Sequence, residues 1–515
     1  MKKGIFAILL VFLLCGCAGE EGQTTGLLMT TQAPAATSGT IYLLGYHFES
    51  ENPLLSKNTT NQQMFSLIYD SLYEINEKFE PTEQLATGLT MNSDLEYTVV
   101  LRPGVSFHDG TALTSSDVVS TVEFLLKNDT AYRYYVRNIA SVSKSGEEAV
   151  RFRLKEPAQN FKAQLIFPIV SAKMLNSGDS SMNGTGKYKV ENYVQRKKIL
   201  LVSNENYFQQ INPEVKKIEI QLMPDKETAN YAYSSGLADV YMQDILDSTA
   251  SAVSKSGAAT VEYTGNEYGC MLFQMSNPIF RDVNVRRAIL MGIHRDKLIS
   301  DVLFSHAVKA ETPVNPASYL VNPNAKSEYN VEQAKALLKE SGWESDPADG
   351  LLKKSDNPKE ILRFSLLINN SSEFKKQLAA SIKEDMSYLG IEVSVVEKDF
   401  ADYEKDYRSG KFDAVLINTL MGFDYDFTSF LATGNNICNY SNEMTDLILK
   451  NIGETDGVEK TNYYNRLQEN FIENVPHVSL YYTKTNLLST SKLKKGLNPT
   501  AFSIYHNIEN WSFRE

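Results

Sequence analysis

Few side chains in this sequence have the types and spacing that catalysis requires. Three serines, Ser141, Ser372 and Ser489, each precede a lysine by three residues, a spacing that sets an ammonium group beside a nucleophilic hydroxyl in some acylating enzymes. The further motifs of such enzymes are missing, as are G-x-S-x-G, G-x-x-x-x-G-K and H-E-x-x-H segments. No metal-ligand or catalytic-triad spacing connects the histidines, which are His47, His108, His294, His306, His477 and His506. The sequence therefore predicts no enzyme activity, no cofactor and no metal site, and it favours a binding function.

The start of the chain carries a targeting pattern. Two lysines precede an apolar run at 5–14, which is far shorter than the ~20 residues that span a bilayer. The letters L-C-G-C follow and end at Cys17, and they resemble a bacterial lipobox, whose last cysteine is acylated. We expect 1–17 to be a lipoprotein signal peptide and 18–39, rich in Gly, Thr, Ala, Ser and Gln, to be a flexible tether. An ordinary cleaved signal with an incidental Cys17 is the alternative.

Composition limits the remaining classes. A chain of 515 residues with 42% hydrophobic side chains buries a large core and divides into several domains. Its net charge of −12 opposes binding to nucleic acid. Beyond the signal segment, only Cys270 and Cys438 remain, too few for a disulfide framework. They either pair with each other or lie apart as two buried thiols.

Apolar periodicity places strands and helices along the whole body of the chain. In the first half we expect helices at 61–73, after a cap at Thr114, and at 228–235, and strands at 40–46, 97–101, 150–154, 188–193, 199–204 and 215–222. In the second half we expect a helix capped by Asn330, a helix stopped by Gly390, strands at 391–396 and 414–417, and a helix between those strands that ends at Gly410. This alternation indicates an α/β protein with a mainly parallel sheet.

One segment carries a family resemblance. From Leu101 the chain reads LRPGVSFHDGTALTSSDVV, which resembles the signature of the family 5 extracellular solute-binding proteins, the oligopeptide, dipeptide and nickel binders of ABC importers. Further blocks follow in the family's order: GTGKYKVENYV from Gly184, FRDVNVRRAILMGIHRDKLI from Phe280, NVEQAKALLKESGW from Asn330, LGIEVSVVEKDFADYEKDYRSGKFDAVL from Leu389, and VPHVSLYY from Val475. Lys187, Asn284 and His294 depart from the family pattern. Within these blocks we expect Arg286 and Arg287 at the surface or in salt bridges, not on a ligand.

The resemblance implies a periplasmic-binding-protein-like α/β fold. Two lobes would be joined by a two-segment hinge, with an extra α+β domain beside the first lobe. The first lobe would comprise 40–58, 184–268 and 481–515, the extra domain 59–183, and the other lobe 269–480. The hinge would cross near 269–273 and 479–482. Ligand would bind in the cleft and stabilise the closed arrangement, which a membrane permease recognises.

The resemblance also implies ligand-binding residues. In peptide-binding relatives an extended ligand pairs its backbone with the protein, and a carboxylate holds its positive amino terminus. The corresponding segment here contains Phe423, Asp424, Tyr425 and Asp426. Asp424 is the expected carboxylate and Asp426 its rival, although both could simply bind loop amides or face water.

Two further pairs are expected at the cleft on the same grounds. Asn58 and Thr59 fall where relatives offer ligand-facing backbone, and Tyr481 and Tyr482 fall where a hinge tyrosine lines the cleft. The alternative is a core position, since an aromatic residue in an apolar strand more often belongs to the core than to a ligand contact.

The predicted protein is thus a monomeric, lipid-anchored, extracytoplasmic binder of a short peptide that serves a membrane permease. Its location would be the outer face of the cytoplasmic membrane, or the periplasmic side if the host has two membranes. An oligosaccharide is a rival ligand, but Trp343 and Trp511 are the only tryptophans available for stacking. A nickel or other metal chelate is another, and a peptide-sensing receptor is an alternative role.

Overall fold

The structure is a computed structural model that describes residues 39–177, 181–243 and 259–514, which belong to one compact unit. The predicted signal peptide at 1–17, Cys17, and all but the last residue of the predicted tether at 18–39 lie outside the described residues. Among the described residues, no helix combines the length and apolarity needed to cross a bilayer.

The first two described ranges contain short helices among strands. The strands are β1 (Thr40–Tyr46), β2 (Tyr73–Ile75), β3 (Pro81–Glu83), β4 (Ala86–Ser93), β5 (Glu96–Leu101), β6 (Ile139–Lys144), β7 (Ala149–Leu154), β8 (Tyr188–Val194), β9 (Lys198–Ser203), β10 (Lys217–Met223) and β11 (Val240–Gln243). The helices are α1 (Thr59–Phe65), α2 (Ser115–Lys127), α3 (Arg133–Val136), α4 (Ala172–Ser177) and α5 (Lys226–Ser235).

The third described range contains longer helices. Its strands are β12 (Ala259–Phe273), β13 (Ala307–Lys309), β14 (Trp343–Ser345), β15 (Leu352–Lys354), β16 (Asn357–Ile361), β17 (Arg363–Asn369), β18 (Glu392–Lys398), β19 (Ala414–Leu420), β20 (His477–Ser489), β21 (Leu493–Lys495) and β22 (Ser512–Phe513). Its helices are α6 (Val283–Gly292), α7 (Arg295–Asp301), α8 (Val331–Glu340), α9 (Glu373–Tyr388), α10 (Phe400–Arg408), α11 (Thr428–Leu431), α12 (Glu443–Glu454) and α13 (Gly457–Asn474).

Two long antiparallel strands, β12 and β20, form the middle of the largest sheet, whose order is β11-β20-β12-β19-β17-β18. The C-terminal end of β20 pairs with β11, and the C-terminal end of β12 pairs with β19. The β12–β20 pairing is interrupted between Thr264 and Tyr268. This irregular point lies a few residues before the predicted hinge crossing at 269–273. A continuous strand pair with a local break suits a hinge, since the break leaves fewer hydrogen bonds to oppose bending.

The sheets are mixed, so the prediction of a mainly parallel sheet is wrong. β17 pairs in parallel with β18 and β19, and β1 pairs in parallel with β10. However, β8, β9 and β10 run antiparallel, and β12 is antiparallel to both β19 and β20. The reason is that β12 and β20 run in opposite directions although helices α6 to α13 lie between them, so the alternation of helix and strand does not determine the direction of this pair.

Most predicted elements are confirmed with small shifts at their ends, but the helix predicted at 61–73 ends early. α1 stops at Phe65. The carbonyls of Leu67 and Ile68 accept hydrogen bonds from the backbone of Tyr188 at 3.0 Å and Gly186 at 2.8 Å. The chain leaves the helix here because it pairs with the GTGKY block. A Cβ atom on Gly186 would lie 2.5 Å from the carbonyl carbon of Ile68, so only glycine permits this close approach.

Arg286 on α6 is buried, which corrects the expectation that it lies at the surface or in a salt bridge. It is 6% exposed. Its guanidinium donates to the carbonyls of Phe280 at 2.6 Å, Asn474 at 2.6 Å and Val475 at 2.9 Å. The last carbonyls of a helix lack hydrogen-bond donors within the helix. Arg286 supplies these donors at the C-terminal end of α13.

Candidate functional site

Asp424 lies in the loop at 421–427, directly after β19, and its side chain is fully buried. One carboxylate oxygen, Oδ1, accepts a hydrogen bond from the Tyr134 hydroxyl at 3.0 Å. The other, Oδ2, accepts from Gln164 Nε2 at 3.1 Å and lies 3.5 Å from a guanidinium nitrogen of Arg137. Both oxygens therefore already have partners, and all three partners come from the predicted extra domain.

Arg137 bridges the two candidate aspartates. The same guanidinium nitrogen that reaches Asp424 donates to Asp426 Oδ2 at 2.7 Å. The guanidinium also lies over the Tyr134 ring, 3.7 Å from its centre. Side-chain exposure is 34% for Arg137, 25% for Asp426 and 0% for Asp424. Burial raises the pKa of Asp424 above its ordinary value, against the opposing effect of the Arg137 charge.

The aromatic neighbours of these aspartates form part of the core. Phe423 is 6% exposed, and its ring packs at 5.7 Å edge-to-face against Phe502 and at 6.0 Å against Phe79. Tyr425 is also buried, has a positive φ of 51°, and packs against Tyr464 with ring centres 6.3 Å apart. In this structure neither ring offers surface to a ligand, so the predicted contacts of Phe423 and Tyr425 stay predictions.

Tyr481 and Tyr482 on β20 are fully buried as well. The Tyr481 hydroxyl donates to Asn418 Oδ1 at 3.2 Å, and the Tyr482 hydroxyl donates to the carbonyl of Pro313. The Tyr481 ring lies directly on Gly269, where a Cβ atom would come within 2.4 Å of it. Both side chains pack the strand pair at its centre, and their predicted role in lining the cleft remains untested.

Asn58 and Thr59 are exposed and line a cavity of about 580 Å³. Asn58 caps α1, because its Oδ1 accepts from the backbone of Asn61 at 3.0 Å. The rest of the wall comes from the end of β1, the start of α5, β11 and the C-terminal segment, and includes His47, Asp225, Val240, Tyr241, Met242 and Tyr505. A cavity of this size suits a small organic ligand.

The cavity and the loop at 421–427 lie on either side of one C-terminal segment. Phe502 of that segment packs against Phe423, whereas Ile504 and Tyr505 line the cavity. Gln63 of α1 fixes the segment, because its side chain donates to the carbonyl of Phe502 at 2.8 Å and accepts from the backbone of Ile504 at 2.9 Å. The structure thus connects Phe423 to the cavity wall through this segment. Tyr482 lies in the same hydrophobic cluster as Phe423 and Tyr425, whereas Tyr481 lies in another.

Sequence reasoning missed the partners of Asp424. Tyr134, Arg137 and Gln164 are separated from it by 290, 287 and 260 residues, and no motif surrounds them. One signal was available: a buried carboxylate requires a charged or hydrogen-bonding partner. The rule predicts that Asp424 has such a partner, but it does not identify which residue of the chain is that partner.

Other reactive groups in the described ranges do not form a second site. Those ranges contain no cluster of three His, Cys, Asp or Glu side chains that could hold a metal ion. Cys270 and Cys438 are buried free thiols. Burial raises the pKa of Cys438 to about 12, so this thiol stays protonated and unreactive at neutral pH.

Comparison with known proteins decides the family. The family described as bacterial extracellular solute-binding proteins, family 5 Middle, matches residues 80–438. The chain belongs to this family. Among the family 5 relatives, the oligopeptide-binding protein AppA of Bacillus subtilis (strain 168) is 24% identical over 99% of this chain and 98% of that protein. The nickel-binding periplasmic protein of Escherichia coli (strain K12) is 24% identical over 74% of this chain and 75% of that protein.

A solved structure shows the same fold. The unliganded open form of the periplasmic murein tripeptide-binding protein MppA has a TM-score of 0.79, with 19% identity, and the match covers 93% of this chain and 98% of that one. The α/β fold of periplasmic-binding-protein type predicted from the sequence is confirmed. The family description places its members outside the cytoplasm, and the relatives are named as binding proteins.

Proposed function

We propose that this chain is the extracytoplasmic solute-binding protein of an ABC importer, and that it captures a short peptide between its lobes and delivers it to a membrane permease. The observation that carries this proposal is the family match over residues 80–438. Relatives along nearly the whole chain are named as oligopeptide-binding proteins. No catalytic step is assigned to the chain.

The cavity suits an extended peptide. Among the described residues, β11 ends the strand order of its sheet, and it contributes Val240, Tyr241 and Met242 to the wall. An extended peptide beside such a strand binds mainly through its backbone, with little selection for its side chains. The exposed Asn58 and Thr59 lie across the cavity and add polar groups for the peptide backbone.

The domain division follows as part of the proposal. Residues 40–58, 184–268 and 481–515 form the first lobe, 59–183 the extra domain, and 269–480 the other lobe. Bending at the interruption between Thr264 and Tyr268 closes the lobes over the peptide. An acylated Cys17 tethers the monomeric protein to the membrane beside its permease.

The Thr59→Trp variant tests where the peptide binds. Because Thr59 is exposed on the cavity wall, an indole there fills space that the peptide needs. We expect it to weaken peptide binding about tenfold or more. The measurement is retention of a random peptide pool of two to nine residues by the immobilised protein, followed by titration calorimetry with the peptides retained.

The matched control is Thr90→Trp, an exposed threonine on β4 away from the cavity. It should bind the same peptides as the unchanged protein. Equal peptide affinities of the two variants would show that the cavity is not the peptide-binding site. A folded wild type that retains no peptide of any length would refute the proposal that the ligand is a peptide. An oligosaccharide or a metal chelate would then be tested in the same way.

A further inference from the structure

Asp424 is surrounded by side chains of Tyr134, Arg137 and Gln164. Asp424 was expected to hold the amino terminus of a ligand, a role that needs a carboxylate oxygen open to the cleft. In the structure the residue has no exposed surface. Tyr134 occupies Oδ1, and Gln164 and Arg137 occupy Oδ2. A ligand ammonium could reach either oxygen only by displacing one of these side chains.

Arg137 is held firmly in this position. Its guanidinium stacks on the Tyr134 ring at 3.7 Å, donates to the Tyr134 carbonyl at 2.7 Å and binds Asp426 at 2.7 Å. Asp426 is itself fixed, because its Oδ1 accepts from the backbone of Thr428 at 3.0 Å. An arginine with several fixed contacts is a costly group to displace, since removal leaves a buried carboxylate without its cation.

We propose that Arg137 supplies the positive charge that Asp424 would otherwise take from a ligand, so that the protein binds peptides without requiring a free amino terminus. The proposal rests on the proposed function and deepens it, because it names the residue that sets specificity for the ligand's terminus. Peptides with blocked amino termini are then ligands as good as their free-amine counterparts.

Paired peptides test the specificity. Each peptide that the wild type retains is synthesised with a free and with an acetylated amino terminus. The wild type should bind the two forms within about threefold of each other, whereas Arg137→Ala, which leaves Asp424 without its cation, should prefer the free amine about tenfold or more. Arg133→Ala is the matched control, since Arg133 begins the short helix α3 that ends just before Arg137, and it donates to the carbonyls of Leu125 and Leu126. It should behave as the wild type.

A second measurement needs no peptide. Methylguanidinium at millimolar concentration should raise the melting temperature of Arg137→Ala, because it can occupy the vacated position beside Asp424. It should have no such effect on the wild type or on Arg133→Ala, and a smaller effect on the double variant Arg137→Ala/Asp424→Asn, which keeps only the Asp426 carboxylate. A residue that only packs against its neighbours would not give this rescue.

The outcomes separate the two ideas. A wild type that prefers the free amine about tenfold or more, and loses that preference in Asp424→Asn, would overturn the inference while leaving the proposed function intact. Failure of the methylguanidinium rescue would overturn it as well. If no peptide binds, the proposed function fails, and the rescue still decides whether Arg137 is the cation of Asp424.

Discussion

Replacing Arg286 with methionine is expected to lower the free energy of unfolding by about 3–5 kcal/mol. Methionine keeps most of the apolar stem but leaves the carbonyls of Phe280, Asn474 and Val475 without donors in a buried region. Val475 depends on this support, because it has a positive φ of 42° at the end of α13. The midpoint and slope of urea denaturation measure the effect.

The neighbouring residue provides the control. Arg287 donates to the carbonyl of Glu473 at 2.6 Å but is only half-buried, so water can replace its hydrogen bond. Arg287→Met should cost less than about 1 kcal/mol. If the two variants lost the same stability, the account of Arg286 as a buried donor to the end of α13 would be wrong.

Asp70 should make stability depend on pH. Burial raises its pKa to about 6, although hydrogen bonds from Thr185 and Tyr207 and the charge of Lys187 oppose the shift. A raised pKa means that the folded state holds the proton more tightly than the unfolded state, so the contribution of Asp70 to stability is highest below pH 4 and falls as the pH rises to 6. From a shift of this size the loss is about 3 kcal/mol.

The Asp70→Asn variant isolates this effect. Because asparagine does not ionise, the variant should not lose this stability as the pH rises. Its free energy of unfolding relative to the wild type should therefore increase between pH 4 and pH 7. The control Asp129→Asn changes a side chain that is 90% exposed and should leave the wild-type profile unchanged. Denaturation curves across this pH range measure both variants, and parallel profiles for Asp70→Asn and the wild type would contradict the prediction.

Local signals were enough to place most elements of the fold. Asn330 was predicted to cap a helix, and its Oδ1 accepts from the backbone of Gln333 at 2.9 Å at the start of α8. Thr114 and Asp117 likewise bind each other at the start of α2, where the Asp117 carboxylate accepts from the Thr114 backbone at 2.8 Å. Such caps depend on residues three positions apart, so the sequence contains all the information needed.

The errors have a common cause in long-range contacts. The helix predicted at 61–73 fits the apolar spacing, but the carbonyls of Leu67 and Ile68 bind a segment more than a hundred residues away, near Gly186. The parallel sheet failed because β12 and β20 pair across more than two hundred residues. Periodicity reports which face of an element is buried and does not report its partner.

The candidate site shows the same limit. The resemblance to the family pointed to Asp424. The burial of this residue and its contact with Arg137 depend on packing between distant segments, which the sequence alone does not show. Asn58 and Thr59 line a cavity, and their place at the ligand cleft stays a prediction. Phe423, Tyr425, Tyr481 and Tyr482 are core residues in this structure, and whether any of them contacts a ligand is still to be measured.

Small-angle X-ray scattering tests the central claim, which is that two lobes close over a captured peptide. The wild type is measured alone and with a saturating amount of a peptide that it retains from the pool. We predict a smaller radius of gyration with the peptide, because bending at the β12–β20 interruption brings the lobes together. An unchanged radius of gyration at full occupancy would contradict the account.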